Sequence, residues 1–340
     1  MTSERVATDE AAMRAAIDAS QSARGISTPN PPVGAVVVDR AGVVVGVGST
    51  APAGGPHAEV VALAAAGDRA RGATAVVTLE PCDHTGRTGP CTAALIAAGI
   101  TRVVYAVSDP NPVAAGGAAT LRAAGIEVVG GVLADDVAAD PLRAWLFRLR
   151  TGRPLVTAKF AATLDGRIAA PDGTSRWITG DVARERVHRD RARLDAIVVG
   201  SGTVATDDPA LTARHADGSL RGHQPTRIVL GRRPLPDGAR ILGPEAPTRH
   251  VASHDPAEAV AAAGDALSLL VEGGPTVLGA FLAAGLVDRV QAYLAPTVLG
   301  AGAAAVLDAS VATLAQAHRF TRESVEILGD DLLITLAPTV

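Results

Sequence analysis

Cys82 and Cys91, the only cysteines among 340 residues, each follow a proline, and His57-Ala58-Glu59 stands upstream of both. This pattern constrains the fold more than any other feature, because side chains from three separate segments must converge if they share one task. Zinc takes imidazole nitrogen and thiolate sulfur in a tetrahedron, and a catalytic site leaves the fourth position to water. His57, Cys82 and Cys91 are therefore the candidate ligands. Glu59, at the predicted start of a helix, can approach that water without coordinating the metal. Zinc brings the pKa of such a water to about 7. Glu59 can then pass its proton to a departing amine.

The division of labour matches the H-x-E and P-C signature of hydrolytic zinc deaminases. The cysteine spacing is unusual for them, since eight residues separate Cys82 from Cys91 instead of two. A longer loop must fold the second thiolate back. A closed structural zinc site would need a fourth ligand, which His84 could supply, but it would leave Glu59 without a purpose. A disulfide is the weaker reading in a reducing compartment. The chain begins MTSERVATDE, without the apolar core of a signal peptide, and no later run reaches the roughly 18 apolar residues of a spanning helix. A cytoplasmic location is expected.

A chain of 340 residues exceeds what one core usually organises, and two domains are expected. The first, residues 1–149, alternates strand and helix patterns. Helices are predicted over residues 8–23, 57–66, 92–98 and 121–124, with strands at 34–38, 43–47, 73–79, 102–106 and 127–129. Such alternation implies an α/β sheet covered on its faces. The run Thr151-Gly152-Arg153-Pro154 reads as a linker. Residues 150–340 form a second α/β unit, with strands at 155–160, 196–199, 227–230, 267–272 and 289–294 and helices at 182–193 and 277–284.

Composition narrows the substrate. Aromatic residues are 2% of the chain and its net charge is -4, so neither base stacking nor a basic phosphate-backbone footprint is provided for. A small molecule is favoured over nucleic acid or a membrane. The second unit has no G-x-G-x-x-G after a strand, so a doubly wound dinucleotide fingerprint is absent. Glu272-Gly273-Gly274-Pro275-Thr276 instead places a glycine turn between a strand and a helix, where backbone amides can face an anion.

Leu79 through Cys91, with Asp83-His84-Thr85-Gly86-Arg87 inside it, resembles the zinc loop of the bifunctional riboflavin-biosynthesis deaminase/reductase family. Pro29-Asn30-Pro31-Pro32-Val33-Gly34 and Asp109-Pro110-Asn111-Pro112 fit the same family. So do Lys159 to Arg167, Ser175 to Thr179, Thr203 to Arg214 and Glu272 to Thr276, and the resemblance covers nearly the whole chain. It implies a cytidine-deaminase-like three-layer N-terminal domain and a C-terminal domain like dihydrofolate reductase. It also implies zinc-dependent deamination of 2,5-diamino-6-(5-phosphoribosylamino)pyrimidin-4-one, followed by NADPH-dependent reduction of the ribosyl group to ribityl. Pairing of chains through the reductase domain goes with it.

By the same resemblance Ala161, Trp177, Thr203, Asp207 and the stretch Gly274, Pro275, Thr276, Val277, Leu278, Gly279 and Ala280 contact NADPH. Ser175, Arg191, Leu211, Arg214 and Glu272 contact the substrate. Chemistry supports part of this: arginines suit a phosphorylated sugar, and Arg191 and Arg214 could clamp it. Lys159 could polarise the sugar being reduced. In the first domain Asn30 offers donor and acceptor to a pyrimidine edge, and His84 and Arg87 could hold ring or phosphate. Two positions depart from the family: Ser49-Thr50 stands where it usually has a histidine, and Gly231-Arg232-Arg233 where an aspartate comes first. The alternatives are a nucleoside or nucleic-acid deaminase with a non-catalytic second domain, and a zinc-stabilised binding module.

Overall fold

The computed structural model describes residues 8–84, 89–308 and 310–339. Its chain divides into two compact units, residues 1–150 and 151–340.

The first unit runs α1 (Asp9–Ser20), β1 (Gly34–Val38), β2 (Val44–Ser49), α2 (Ala58–Ala66), β3 (Thr74–Leu79), α3 (Cys91–Ala97), β4 (Arg102–Val107), α4 (Gly117–Ala123), β5 (Glu127–Gly130), α5 (Ala134–Ala139) and α6 (Arg143–Thr151). Thr8 caps α1 by accepting the Ala11 amide, and Ala12, Met13, Ala16 and Ser20 bury one helical face. The sheet order is β2-β1-β3-β4-β5. β1 is antiparallel to β2 and β3, whereas β3, β4 and β5 run parallel.

Glycines decide which helix lies where. Gly48 pairs with Ala35 and Gly46 with Val37 on one face of the sheet, and Gly34 pairs with Ser49 on the other. A Cβ on Gly48 or Gly46 would collide with the carbonyls of Ala58 or Ala62, so α2 lies directly on β2. A Cβ on Gly34 would strike the Ala16 carbonyl of α1. Helices thus cover opposite faces, giving three layers, and the close seat of α2 fixes the position of its first turn.

The second unit comprises β6 (Leu155–Thr163), β7 (Arg167–Ala169), α7 (Asp181–Arg191), β8 (Ala196–Gly200), α8 (Ser201–Asp207), β9 (Thr226–Leu230), β10 (Thr248–Val251), α9 (Pro256–Ala262), β11 (Ser268–Val271), α10 (Pro275–Ala283), β12 (Arg289–Ala295), β13 (Ala303–Ala304), β14 (Phe320–Leu328) and β15 (Asp331–Pro338). Its large sheet has the order β10-β9-β8-β11-β6-β12-β15-β14. Strands β6 and β8 to β12 are parallel, and β15 and β14 add an antiparallel edge. Both faces are covered, since Ala196 and Val198 of β8 enter one apolar cluster and Ile197 and Val199 another.

The elements foreseen from sequence are present, with ends displaced by a few residues. The segments 8–23 and 57–66 lose their first residues to capping positions, Thr8 and His57. Not foreseen were α5, α6, α8, α9, β7, β10, β13 and the hairpin β14–β15. No helix among the described residues is long and apolar enough to cross a membrane.

Candidate functional site

His57 is the N-cap of α2, and Glu59 lies in its first turn. Cys82 follows β3, and Cys91 opens α3 behind Pro90. The tight seat of α2 on Gly48 brings these segments together: the ligand atoms of His57, Cys82 and Cys91 lie within 4.8 Å of one another. His57 Nδ1 is 3.2 Å from Cys91 Sγ and 3.5 Å from Cys82 Sγ. Metal bonds of roughly 2.0–2.3 Å at tetrahedral angles place donors about 3.3–3.8 Å apart, so one nitrogen and two sulfurs in this arrangement fit zinc. The Cys91 amide also points at Cys82 Sγ, 3.5 Å away, and favours a thiolate there. The interaction between the two sulfurs lowers the Cys82 thiol below its usual range and raises Cys91 above it, with Cys82 the one poised as thiolate.

Glu59 is only 5% exposed yet lines the same cavity of about 450 Å³ as His57 and Cys82. Burial pushes its carboxyl above the ordinary glutamate range, as suits a group that both takes and returns a proton. Asn30 and His84 line this cavity too, and His84 Nδ1 is buried without a partner among the described residues. Arg87 lies outside the described residues.

Sequence reasoning missed the groups that hold this site in place. Glu80, buried, accepts the amides of Ala118 at 2.9 Å and Asp109 at 3.2 Å. Asp83 accepts the hydroxyls of Thr92 and Thr120, each at 2.6 Å. These bonds, the Thr120 one foremost, hold its carboxyl below the usual range. Asp109 and Asn111 line the cavity as well. Their Asp-Pro-Asn-Pro motif was the available signal, although no role could be attached to it from sequence. Thr50 hydroxyl accepts the Val33 amide at 3.1 Å, so it pins the loop that carries Asn30.

In the second unit, β11 ends at Val271 opposite Ala158 of β6. The next residues on the two strands, Glu272 and Lys159, approach to 3.9 Å at the mouth of the parallel sheet, where α/β proteins bind ligands. A cavity of about 560 Å³ opens there. Lys159, Ala161, Ser175, Trp177, Arg191, Thr203, Asp207, Leu211, Arg214 and Glu272, all singled out from sequence, line it. Arg191 grips Glu272 through Nε at 2.7 Å and Nη2 at 2.6 Å. Its fork is therefore already engaged, unlike the free phosphate clamp expected. Burial raises the Glu272 pKa, but the charges of Arg191 and Lys159 outweigh it and hold the carboxyl at about 2. Burial lowers the Lys159 pKa against the pull of Glu272.

The glycine turn differs from expectation. The Gly274 amide already donates to Thr203 Oγ1 at 2.9 Å, and Pro275 has none to offer, so Thr276 carries the first open amide of α10. Leu278 packs in the core, and Gly279 sits against the Leu307 carbonyl. Arg232 and Arg233 are exposed outside the cavity. Arg176, Arg184, His188 and Arg240 line it but were not singled out. For His188 a signal existed, since it precedes Arg191 by three residues on one helix and shares its face.

A profile of the cytidine and deoxycytidylate deaminase zinc-binding region matches residues 6–107, and one of the RibD C-terminal domain matches residues 154–334. The riboflavin biosynthesis protein RibD of Mycobacterium tuberculosis is 53% identical over 336 residues, 99% of each chain. That of Escherichia coli is 40% identical over 96% of this chain and 99% of its own. The structure of Acinetobacter baumannii RibD superposes with a TM-score of 0.83 at 39% identity, covering 98% of this chain and 99% of that one. A Thermotoga maritima structure, described as a diaminohydroxyphosphoribosylaminopyrimidine deaminase/5-amino-6-(5-phosphoribosylamino)uracil reductase, gives a TM-score of 0.83 at 35% identity, covering 97% and 99%. The zinc-binding region and the reductase domain make this an enzyme of two activities, hydrolase and oxidoreductase, with Zn2+ and NADPH as cofactors. With a three-donor cluster in one unit and a cation-rich sheet mouth in the other, the chain belongs to the bifunctional riboflavin-biosynthesis deaminase/reductase family.

Proposed function

We propose that the first unit, residues 1–149, deaminates 2,5-diamino-6-(5-phosphoribosylamino)pyrimidin-4-one and that the second, residues 150–340, reduces the ribosyl group of the product with NADPH. The convergence of His57, Cys82 and Cys91 beside a buried Glu59 on one cavity carries the reading. His57, Cys82 and Cys91 hold the zinc. Bound there, zinc supplies a Lewis acid that makes water nucleophilic near neutral pH. Glu59 takes a proton from the attacking water and returns it to the amino nitrogen. The ring carbon gains oxygen, the carbon–nitrogen bond breaks, and ammonia leaves. Asn30 and His84 hold the pyrimidine, and Arg87 is assigned the phosphate from its charge alone.

In the second unit Ala161, Trp177, Thr203 and Asp207 receive NADPH, with Thr276 at the start of α10 offering its open amide to an anionic group, while Leu278 and Gly279 of the expected stretch 274–280 serve to pack that helix. NADPH supplies the hydride. Lys159, held by Glu272 at the sheet mouth, hydrogen-bonds the sugar at the carbon being reduced. Arg214, with its guanidinium braced by Thr212 and Gly218, faces the phosphate, while Ser175, Leu211 and the Arg191–Glu272 pair shape the pocket. The enzyme works in the cytoplasm and self-associates through this unit. The exposed Val325, Ile327 and Leu332 on the edge hairpin β14–β15 support that contact, and Ile327 is 78% exposed.

The test is sequential. The purified protein should contain zinc, release ammonia from the diaminopyrimidine, and oxidise NADPH only after that release. Glu59→Gln should lower ammonia release by about 10²–10⁴-fold while leaving NADPH oxidation with the deaminated pyrimidine intact. Unchanged ammonia release in that variant would overturn the deaminase assignment.

A further inference from the structure

The Thr212 carbonyl accepts two hydrogen bonds from one face of α7, from His188 Nδ1 and from Arg191 Nη1, each at 3.2 Å. A carbonyl oxygen cannot donate, so Nδ1 of His188 carries the hydrogen. In the uncharged ring, Nε2 is then a lone-pair acceptor. It has no partner among the described residues and is not among their sealed-off polar atoms. The ring itself lines the reductase cavity together with Lys159, Arg191 and Glu272.

The chemistry of that cavity makes an acceptor informative. Arginines and Lys159 supply donors, both Glu272 oxygens are taken by Arg191, and the other carboxylate of the wall, Asp207, belongs to the side assigned to NADPH. A phosphorylated sugar needs donors for its phosphate but acceptors for its hydroxyls. We propose that His188 Nε2 accepts a hydrogen bond from a sugar hydroxyl of the ribosylated pyrimidine, holding the sugar against Lys159; this rests on the second cavity being the reductase site. Burial and the charge of Arg191 lower the His188 pKa, outweighing the Thr212 bond and the charges of Glu272 and Glu185. The ring stays uncharged at neutral pH, as an acceptor must. His188 positions the substrate and carries no part of the hydride transfer.

His188→Asn separates this role from mere bracing, because its amide can replace the Nδ1–H bond to Thr212 but has nothing at the Nε2 position. With the full-length protein and the deaminated pyrimidine, H188N should raise KM for the pyrimidine about tenfold, the factor of one uncharged hydrogen bond. KM for NADPH, melting temperature and ammonia release should not change. His188→Gln, which reaches the Nε2 position with an acceptor oxygen, should recover part of the loss. An unchanged pyrimidine KM in H188N overturns the proposal. So does a raised KM for NADPH alone, which would set the ring against the nucleotide. A lowered melting temperature with no recovery in H188Q makes His188 a brace and also overturns it. Absence of NADPH oxidation by the unaltered protein would instead sink the reductase reading on which the proposal rests.

Discussion

Arg191 and Glu272 meet fork to fork, with Nε and Nη2 of the arginine donating to the two carboxylate oxygens at 2.7 and 2.6 Å. Lys159 stands 3.9 Å from the same carboxylate, so one half-buried anion faces two half-buried cations. The cluster keeps a net positive charge at the sheet mouth, which suits an anionic sugar phosphate. It also keeps Lys159 from drifting out of the cavity, since the lysine's nearest counter-charge is fixed by a bidentate pair.

Removing Glu272 should therefore cost more than a surface ion pair would. Glu272→Ala leaves the half-buried Arg191 and Lys159 side by side on the cavity wall with no counter-charge, a loss of about 1–3 kcal/mol, below that of a fully buried pair because the cavity admits water. Urea unfolding followed on the second unit measures it. A change within about 0.5 kcal/mol would mean that water already screens the cluster.

The same cluster predicts an acid-sensitive stability. The Glu272 carboxyl sits at about 2 in the fold against its usual 4.5, so the unfolded chain binds the proton more readily. Its contribution is complete above the usual glutamate value and fades as the pH falls from there toward 2. The melting temperature of the second unit should fall across that window, and it should fall less steeply in Glu272→Gln. Parallel curves for the two proteins would contradict the assignment.

Gly48 is expected to control the deaminase although it touches no substrate. A methyl group there meets the Ala58 carbonyl and the Ala62 amide, both backbone atoms that cannot rotate away. Gly48→Ala should lift the first turn of α2 from the sheet, move His57 and Glu59 from the cysteines, and lower ammonia release at least tenfold, as small misplacements of catalytic groups do. Weakened zinc retention after dialysis should accompany it. Gly125→Ala makes a spatial control, because a Cβ there has open space away from the cavity, although its φ of 82° adds backbone strain.

The contrast between these glycines and the zinc motif shows what was legible in the sequence. His57, Glu59, Cys82 and Cys91 were readable because metal chemistry restricts residue type and spacing independently of the fold. Gly46 looked like an ordinary residue of the predicted strand 43–47 and Gly48 like the turn just past it, since their importance lies in a helix from elsewhere in the chain pressing on them. Glu80 was invisible for the same reason: its partners are amides of Asp109 and Ala118, and amides leave no trace in composition. Hairpin β14–β15 was missed because its polarity runs against its burial: Val325, Ile327 and Leu332 are exposed while Asp331 and Thr335 are buried, so no period-2 apolar face stands out in the sequence. Arg191 was identified as a site residue but with an incomplete role, because sequence shows a cation without showing the carboxylate that engages it.

Zinc removal should separate the two activities. The donors are held by bonds that do not involve the metal: Asp83 to Thr92 and Thr120, Glu80 to Ala118, and α2 to β2. The site therefore should not unravel when the metal leaves, and the first unit should lose only the stabilisation that ligand binding adds. Dialysis against a chelator should abolish ammonia release, leave NADPH oxidation with the deaminated pyrimidine unchanged, and be reversed by restoring Zn2+. Cys91→Ser should show the same loss without recovery, because a hydroxyl is a far poorer zinc ligand than the thiolate it replaces. Ammonia release that survives complete metal removal would exclude His57, Cys82 and Cys91 as the ligands of a catalytic zinc. Loss of NADPH oxidation on chelation would show that the metal serves the reductase as well.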